Sequence, residues 1–354
     1  MKKIISFVAG ASMLLAGSLA AQTPQTSSGV PDESFLAEQF CFETQFSNSG
    51  AVGYGPYLRI ELVDGLTLDS VEIFGTGGTL IDAGEFPPAP DNQLDDPVIG
   101  EAVTGEPGSR LYIIKYPVGS VVDGGPDLPA TLCVTIDEEA VVGEPLDVNI
   151  TPVYEFGDTP TGDNGPIVGS TEQNDVTPTV ILFEKTENAP ESERTPGPSW
   201  PYSYTLTVDI ANTATVNPLV IADELPADFQ YDGNGVNISG GNGCSVTLEP
   251  STSTPGGQLE VTCTGNTVGT TASDDVVVTY SGHLIDLLDE AICHDEPVVN
   301  QAWVQGTYQP GSGPEIVLPL HEDEAVVTAR HVAVQKHVSP AQAIPGQGLT
   351  YTLD

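Results

Sequence analysis

In "YSYTLTVDI" (202–210) the residues Tyr202, Tyr204, Leu206, Val208 and Ile210 alternate with Ser, Thr, Thr and Asp. A period of two is the mark of a strand with one face buried. Comparable runs are "YLRIELV", "LYIIKYPV", "LCVTI", "DVVVTY", "VVNQAWV" and "AVVTARHVAV". Gly and Pro, 38 and 30 of 354 residues, punctuate them and supply turns rather than helix interiors. Only "HLIDLLDEAI" (283–292) predicts a helical turn or two. Many short strands separated by turn signals predict an all-β protein built of β-sandwiches, and the length exceeds what one sandwich needs.

Segment boundaries follow from changes in pattern. Residues 1–21 read as a secretory signal: Lys2 and Lys3, then a mostly apolar stretch, then small residues around Ala21. This predicts export through a bacterial inner membrane, to the cell surface or beyond. Residues 22–34 read as a flexible segment, 35–155 as an N-terminal sandwich, and the polar, turn-rich 156–178 as a linker. A second sandwich occupies 179–330. From 331 the pattern restarts: "VQKHVSPAQAIPGQGLTYTLD" repeats the plan of "FEKTENAPESERTPGPSWPYSYTLTVD", a Lys after an apolar strand, a Pro-Gly turn, then Tyr-Thr-Leu. Residues 331–354 are thus expected to be the truncated start of another copy.

Charge narrows the partners. Nine basic residues face 50 acidic ones, a formal net charge of −41. No basic patch can be assembled, which argues against nucleic acid and anionic membrane surfaces and leaves other surface proteins or glycans as expected partners. The turns "GDTPTGDNG" and "YDGNGVN" are rich enough in Asp and Asn to bind Ca²⁺. They lack the EF-hand spacing, and turn chemistry accounts for them; no cofactor is expected.

Five cysteines sit in an exported chain, where disulfides persist. Cys244, Val246 and Leu248 share one strand face; Leu259, Val261 and Cys263 share another. Folding one strand onto the other opposes Leu248 to Leu259, Val246 to Val261 and Cys244 to Cys263, which predicts a cross-strand disulfide. Cys41 and Cys133 are left to pair in the N-terminal unit. Cys293 is the odd one.

The motifs Lys185, Pro196-Gly197, Tyr204-Thr205, Asn212-Thr213, Asp223-Glu224-Leu225-Pro226, Cys244, Cys263 and Asn300-Gln301-Ala302-Trp303-Val304 occur in an order that resembles the bacterial surface repeat called domain of unknown function 11. Ala214 stands where that family commonly has Gly. The resemblance covers about 180–330 and restarts near 331; "FSNSGAVGYGPYLRIELVDGL" is only loosely similar. It implies immunoglobulin-like sandwiches in long secreted or surface proteins, and no enzymatic activity.

Alternation also places three polar residues among apolar ones: Lys185 with Ile181 and Phe183, Asp223 with Leu219 and Ile221, Asn300 with Val298, Ala302 and Val304. A buried lysine amine beside a buried carboxyl is a nucleophile, and a neighbouring Asn amide is its electrophile. An intramolecular isopeptide is the covalent outcome. Ordinary outcomes are a snorkelling lysine, an ion pair with Asp223 or Glu184, or capping of loop carbonyls, and Asn212 is a rival amide. Catalytic arrangements are otherwise absent from the pattern: the five histidines form no metal-binding spacing, "CHDE" points adjacent side chains apart, and there is no phosphate loop or nucleophile elbow. The sequence therefore predicts a non-enzymatic structural or adhesive surface protein. The alternative is an exported enzyme or ligand-binding protein with its active module in the N-terminal unit or beyond residue 354.

Overall fold

The structure, a computed structural model, describes residues 22–157, 165–285, 297–311, 313–330, 336–339 and 350–353. Among the described residues it is nearly all β, built of facing sheets, and every run singled out by alternation holds a strand. The chain divides into two compact units. The first comprises the described residues up to Asp32 with Gln39–Thr135 and Leu146–Val176; the second takes Glu33–Glu38, Ile136–Pro145 and the chain from Thr177.

The first unit contains strands β1 (Gln22–Ser28), β2 (Gln39–Gly50), β3 (Gly53–Leu62), β4 (Leu66–Ile73), β5 (Thr79–Glu85), β6 (Arg110–Lys115), β7 (Leu128–Ile136), β8 (Leu146–Phe156) and β9 (Glu172–Thr179). One sheet runs β1-β2-β7-β4, the other β9-β8-β3-β6-β5. Two expectations are corrected here. Residues 22–28 are not a loose segment: they form an edge strand paired with β2 from Gln22↔Gly50 to Ser28↔Thr44. "QTPQTSS" has no apolar alternation, and its Pro24 is the kind of residue an edge position accepts. The expected linker holds strand too. Ile167–Val168 and β9 both pair with β8, and the division between units falls inside β9.

Strand β3 is buried on both faces, because the excursion between β5 and β6 folds over the outer one. There Tyr57, Phe86, Leu111, Ile113 and Val153 form a satellite core. Arg59 and Asp96 are buried within it. Asp96 Oδ2 accepts from Arg59 Nε at 2.7 Å and from Tyr57 Oη at 2.8 Å, while its Oδ1 accepts from the Val98 amide at 2.8 Å. Paired and hydrogen-bonded, the two charges are tolerable away from water.

The second unit contains β10 (Ile181–Glu187), β11 (Tyr202–Ile210), β12 (Thr215–Leu225), β13 (Phe229–Tyr231), β14 (Cys244–Leu248), β15 (Gly257–Cys263), β16 (Val276–Leu284), β17 (Pro297–Tyr308), β18 (His321–Ala329), β19 (Lys336–Ser339) and β20 (Thr350–Leu353). One sheet runs β10-β11-β16-β13, the other β18-β17-β12-β15-β14. In β11 and β16 every odd position of the strand is buried, as alternation requires. His283 and Leu284 end strand β16; residues 286–292 of the expected helical turn lie outside the described residues, as do the signal segment and Cys293.

Both disulfides form between directly opposed residues, Cys41↔Cys133 across β2 and β7 and Cys244↔Cys263 across β14 and β15. The second hairpin departs from the expected register at one place. A bulge between Val246 and Leu248 sets Leu248 opposite Glu260 rather than Leu259. The local cause is Thr247, whose hydroxyl bonds Glu260 through both its carbonyl and its carboxylate. Strand β19 pairs β20 with Lys336 opposite Leu353, the register in which Lys185 stands opposite Leu206. The sequence repeat is therefore also a repeat of strand pairing.

Candidate functional site: a buried lysine, aspartate and asparagine

Lys185, Asp223 and Asn300 are all brought into the core of the second unit, 4%, 0% and 0% exposed. Register explains how. On one sheet Tyr204 lies opposite Tyr280, and Lys185 lies opposite Leu206, one inward position from Tyr204. On the other, Asp223 lies opposite Ala302, one inward position from Asn300. Each set is a diagonal on the inner face of its sheet, and diagonal neighbours reach one another when side chains are long. The sandwich closes the two diagonals on each other.

The contacts form a chain. Lys185 Nζ bonds Asp223 Oδ2. Tyr280 Oη donates to the same oxygen at 2.7 Å, and Asn300 Nδ2 donates to Tyr280 Oη at 2.9 Å. The Lys185 amine also stands 4.8 Å from the centroid of the Tyr204 ring, a cation–π distance. Two buried acceptors, Asp223 Oδ1 and Asn300 Oδ1, have no hydrogen-bond partner.

Burial and mutual attraction pull the two groups in opposite directions. Burial pulls the Lys185 amine down to about 8, with Asp223 opposing the shift. It pushes the Asp223 carboxyl up, with Lys185 opposing. Both groups are thus driven toward their neutral forms, an amine beside a carboxylic acid. That form differs from the ion pair only by transfer of one proton along the hydrogen bond, so the pair titrates as a unit.

The rival partners are placed elsewhere. Glu184 is on the exposed face of β10, and Asn212 is exposed, its backbone amide bonded to Glu38 Oε1 at 2.5 Å. Tyr280 was not singled out from the sequence. The signal was present in "DVVVTY", where it shares the inward parity of Val276 and Val278. The Arg59–Asp96 cluster was likewise not foreseen, although an arginine amid "YLRIELV" in a chain so poor in cations was a cue.

The other described cationic side chains are all engaged. Arg110 pairs with Asp82, Lys115 with Glu155 and Arg330 with Glu193, while Arg194 bonds the carbonyls of Trp200 and Pro201. Among the described residues no group of His, Cys, Asp and Glu is arranged to hold a metal ion.

No family model matches the chain, and no curated protein does. The ordered motif resemblance thus stands on the residues quoted above. Solved structures are similar at a low level. The C-terminal domain of the Streptococcus agalactiae antigen I/II polypeptide BspA is 10% identical, covering 87% of this chain and 100% of that one, with a TM-score of 0.29. The C-terminal domain of the Streptococcus pyogenes antigen I/II-family protein AspA is 9% identical, with coverages of 88% and 100% and a TM-score of 0.30. A 35 kDa C-terminal fragment of the Streptococcus agalactiae major pilin GBS80 is 14% identical, with coverages of 86% and 91% and a TM-score of 0.27. At such scores none of them bears on what this chain binds or does.

Proposed function

We propose that this protein is an exported structural or adhesive component of a bacterial surface, in which β-sandwich units serve as spacers. The second unit, in this reading a copy of the repeat named above, is locked by an isopeptide bond between Lys185 and Asn300. The observation that carries the reading is the buried trio itself. A lysine and an aspartate taken out of water cost several kcal/mol unless something compensates, and packing alone is served as well by apolar residues. A reactive amine, a proton-holding carboxyl and an amide placed together in a dry core are the components of amide exchange. The bond joins the first strand of the unit, β10, to β17 in the opposite sheet, which suits a spacer under tension. Its acidic surface, with every described cation engaged, favours solubility and protein or glycan contacts over nucleic acid or anionic lipid.

One experiment tests the export and the lock together. The full chain is expressed in a secreting bacterium, recovered from the cell surface or medium, and weighed intact. The expected mass is lower than that of the disulfide-bonded, signal-free chain by about 17 Da, one ammonia, the leaving group when an amine displaces an amide nitrogen. Lys185→Ala and Asn300→Ala should each abolish the deficit. A chain retained in the cytoplasm, or an exported chain of unshifted mass, counts against the corresponding half.

A further inference from the structure

We propose that Tyr280 is a catalytic residue of the Lys185–Asn300 condensation, its hydroxyl carrying the proton that allows the Asn300 nitrogen to depart as ammonia. This rests on the reading that the bond forms, and it identifies the hydroxyl through which the hydrogen bonds route the leaving-group proton.

An amide nitrogen does not leave as an anion. It must be protonated as its bond to carbon breaks. Water is a poor source here, since Asp223 and Asn300 are 0% exposed and Tyr280 2%. Asp223 holds a proton in the neutral pair, but the hydrogen bond from Asn300 Nδ2 goes to Tyr280 Oη, at 2.9 Å. Tyr280 in turn contacts Asp223 Oδ2, the oxygen that also meets the Lys185 amine. The four atoms Nζ, Oδ2, Oη and Nδ2 therefore form one unbroken path from the nucleophile to the leaving group. Tyr204 stands near the same amide, yet its hydroxyl is shared with Tyr202 at 3.1 Å, and no described bond links it to Asp223.

The steps balance along that path. The Lys185 Nζ lone pair forms a bond to Asn300 Cγ, and the carbonyl electrons move onto Oδ1. Asp223 Oδ1 and Asn300 Oδ1 are both buried without a partner, and in the relay a proton held on the Asp223 carboxyl answers the charge that develops on Asn300 Oδ1. Nδ2, now tetrahedral, has a lone pair it lacked as an amide. Nζ gives one proton to Oδ2; Oδ2 passes a proton to Tyr280 Oη as Oη passes its own to Nδ2. The Cγ–Nδ2 bond breaks, and ammonia, the Lys–Asn amide and a protonated Asp223 remain. No oxidant or co-reactant is needed. For the proton relay itself, the phenolic O–H turns from Oδ2 toward Nδ2. Burial holds the Tyr280 phenol well above its usual range, which favours a concerted relay over a free phenolate.

The test is kinetic. The full chain and its Tyr280→Phe variant are made by cell-free synthesis under oxidising conditions, and the ammonia deficit is followed by intact mass over time. Phe keeps the ring and removes Oη. The expected result is normal folding, judged by a cooperative melt, with crosslinking slowed by about 10²- to 10⁴-fold, the span of general acid–base contributions. Crosslinking of Tyr280→Phe at the wild-type rate overturns the relay and leaves the bond itself intact. If Tyr280→Phe does not fold, the wild-type rate in mixtures of H₂O and D₂O decides. A curved dependence, with more than one proton in flight, supports the relay, and a strictly linear one overturns it. A wild-type chain that never loses ammonia removes the bond, and the relay with it.

Discussion

Asp209 shows how a single side chain reads its surroundings. It lies on the outward parity of β11, half buried, with Asp275, Glu38 and Asp274 nearby. Burial first, and then these three carboxylates, raise its carboxyl to about 6. A raised carboxyl stabilises the fold while it is protonated. The contribution is complete below the unfolded value near 4 and is lost as the pH climbs through about 6. Asp209→Asn, which mimics the neutral form, should therefore raise the melting temperature at pH 7.5 and leave it unchanged at pH 3.5. An equal shift at both values would remove the electrostatic explanation. At this scale much was legible. Period-two alternation placed Lys185, Asp223 and Asn300 inward without any knowledge of which strands are neighbours. What alternation cannot supply is the partner across the sandwich. Tyr280 joins Asp223 to Asn300 only once β16 and β17 belong to facing sheets, a relation no local pattern encodes.

Elements were legible where one face is apolar and the other wet. Strand β1 escaped because its face is made of Gln, Thr and Ser, and β9 because "EQNDVTPT" looks like a connector. Both are recognised by the strand they pair with rather than by their own composition. The bulge at Val246/Leu248 escaped for a related reason: one threonine hydroxyl sets it, through bonds to a residue on the partner strand. The excursion between β5 and β6 is held by the same kind of specific contact. Asp96 ties it to Arg59 and Tyr57 of β3. Asp96→Ala would leave the Arg59 guanidinium buried without its counter-ion, a change expected to cost about 3–5 kcal/mol. Denaturant unfolding of the full chain checks this through the transition of the first unit. A loss below about 0.5 kcal/mol, the size of an ordinary surface change, would mean that Arg59 finds water instead.

For the whole molecule the Lys185–Asn300 bond would alter the route of mechanical load. Tension entering at β10 would cross directly to β17 and bypass the strands between. The chain between those residues, at about 3.3–3.6 Å per residue, amounts to roughly 400 Å that cannot be paid out. Single-molecule stretching of the full chain under reducing conditions should show the second unit extending by about that much less than its Asn300→Ala counterpart. Equal extensions would place the load path along the backbone. Fold class was legible from turn density. The division between units falls inside the segment read as a junction, but within the continuous strand β9 rather than a loop.

The engagement of the cations has a further consequence, for survival among digestive enzymes. A trypsin-like protease cuts after Lys or Arg and needs an extended, unpaired segment around the bond. Of nine such residues in the sequence, two are Lys2 and Lys3. Among the described side chains, Lys185 and Arg59 are buried, and Arg110, Lys115, Arg194 and Arg330 are occupied by carboxylates or carbonyls. Arg59, Arg110, Lys115, Lys185 and Arg194 also lie in paired strands, where the backbone is withheld from a protease cleft. Among the described residues the folded chain thus offers almost no handle to trypsin-like proteases, and there its scarcity of positive charge is in effect a coat against them.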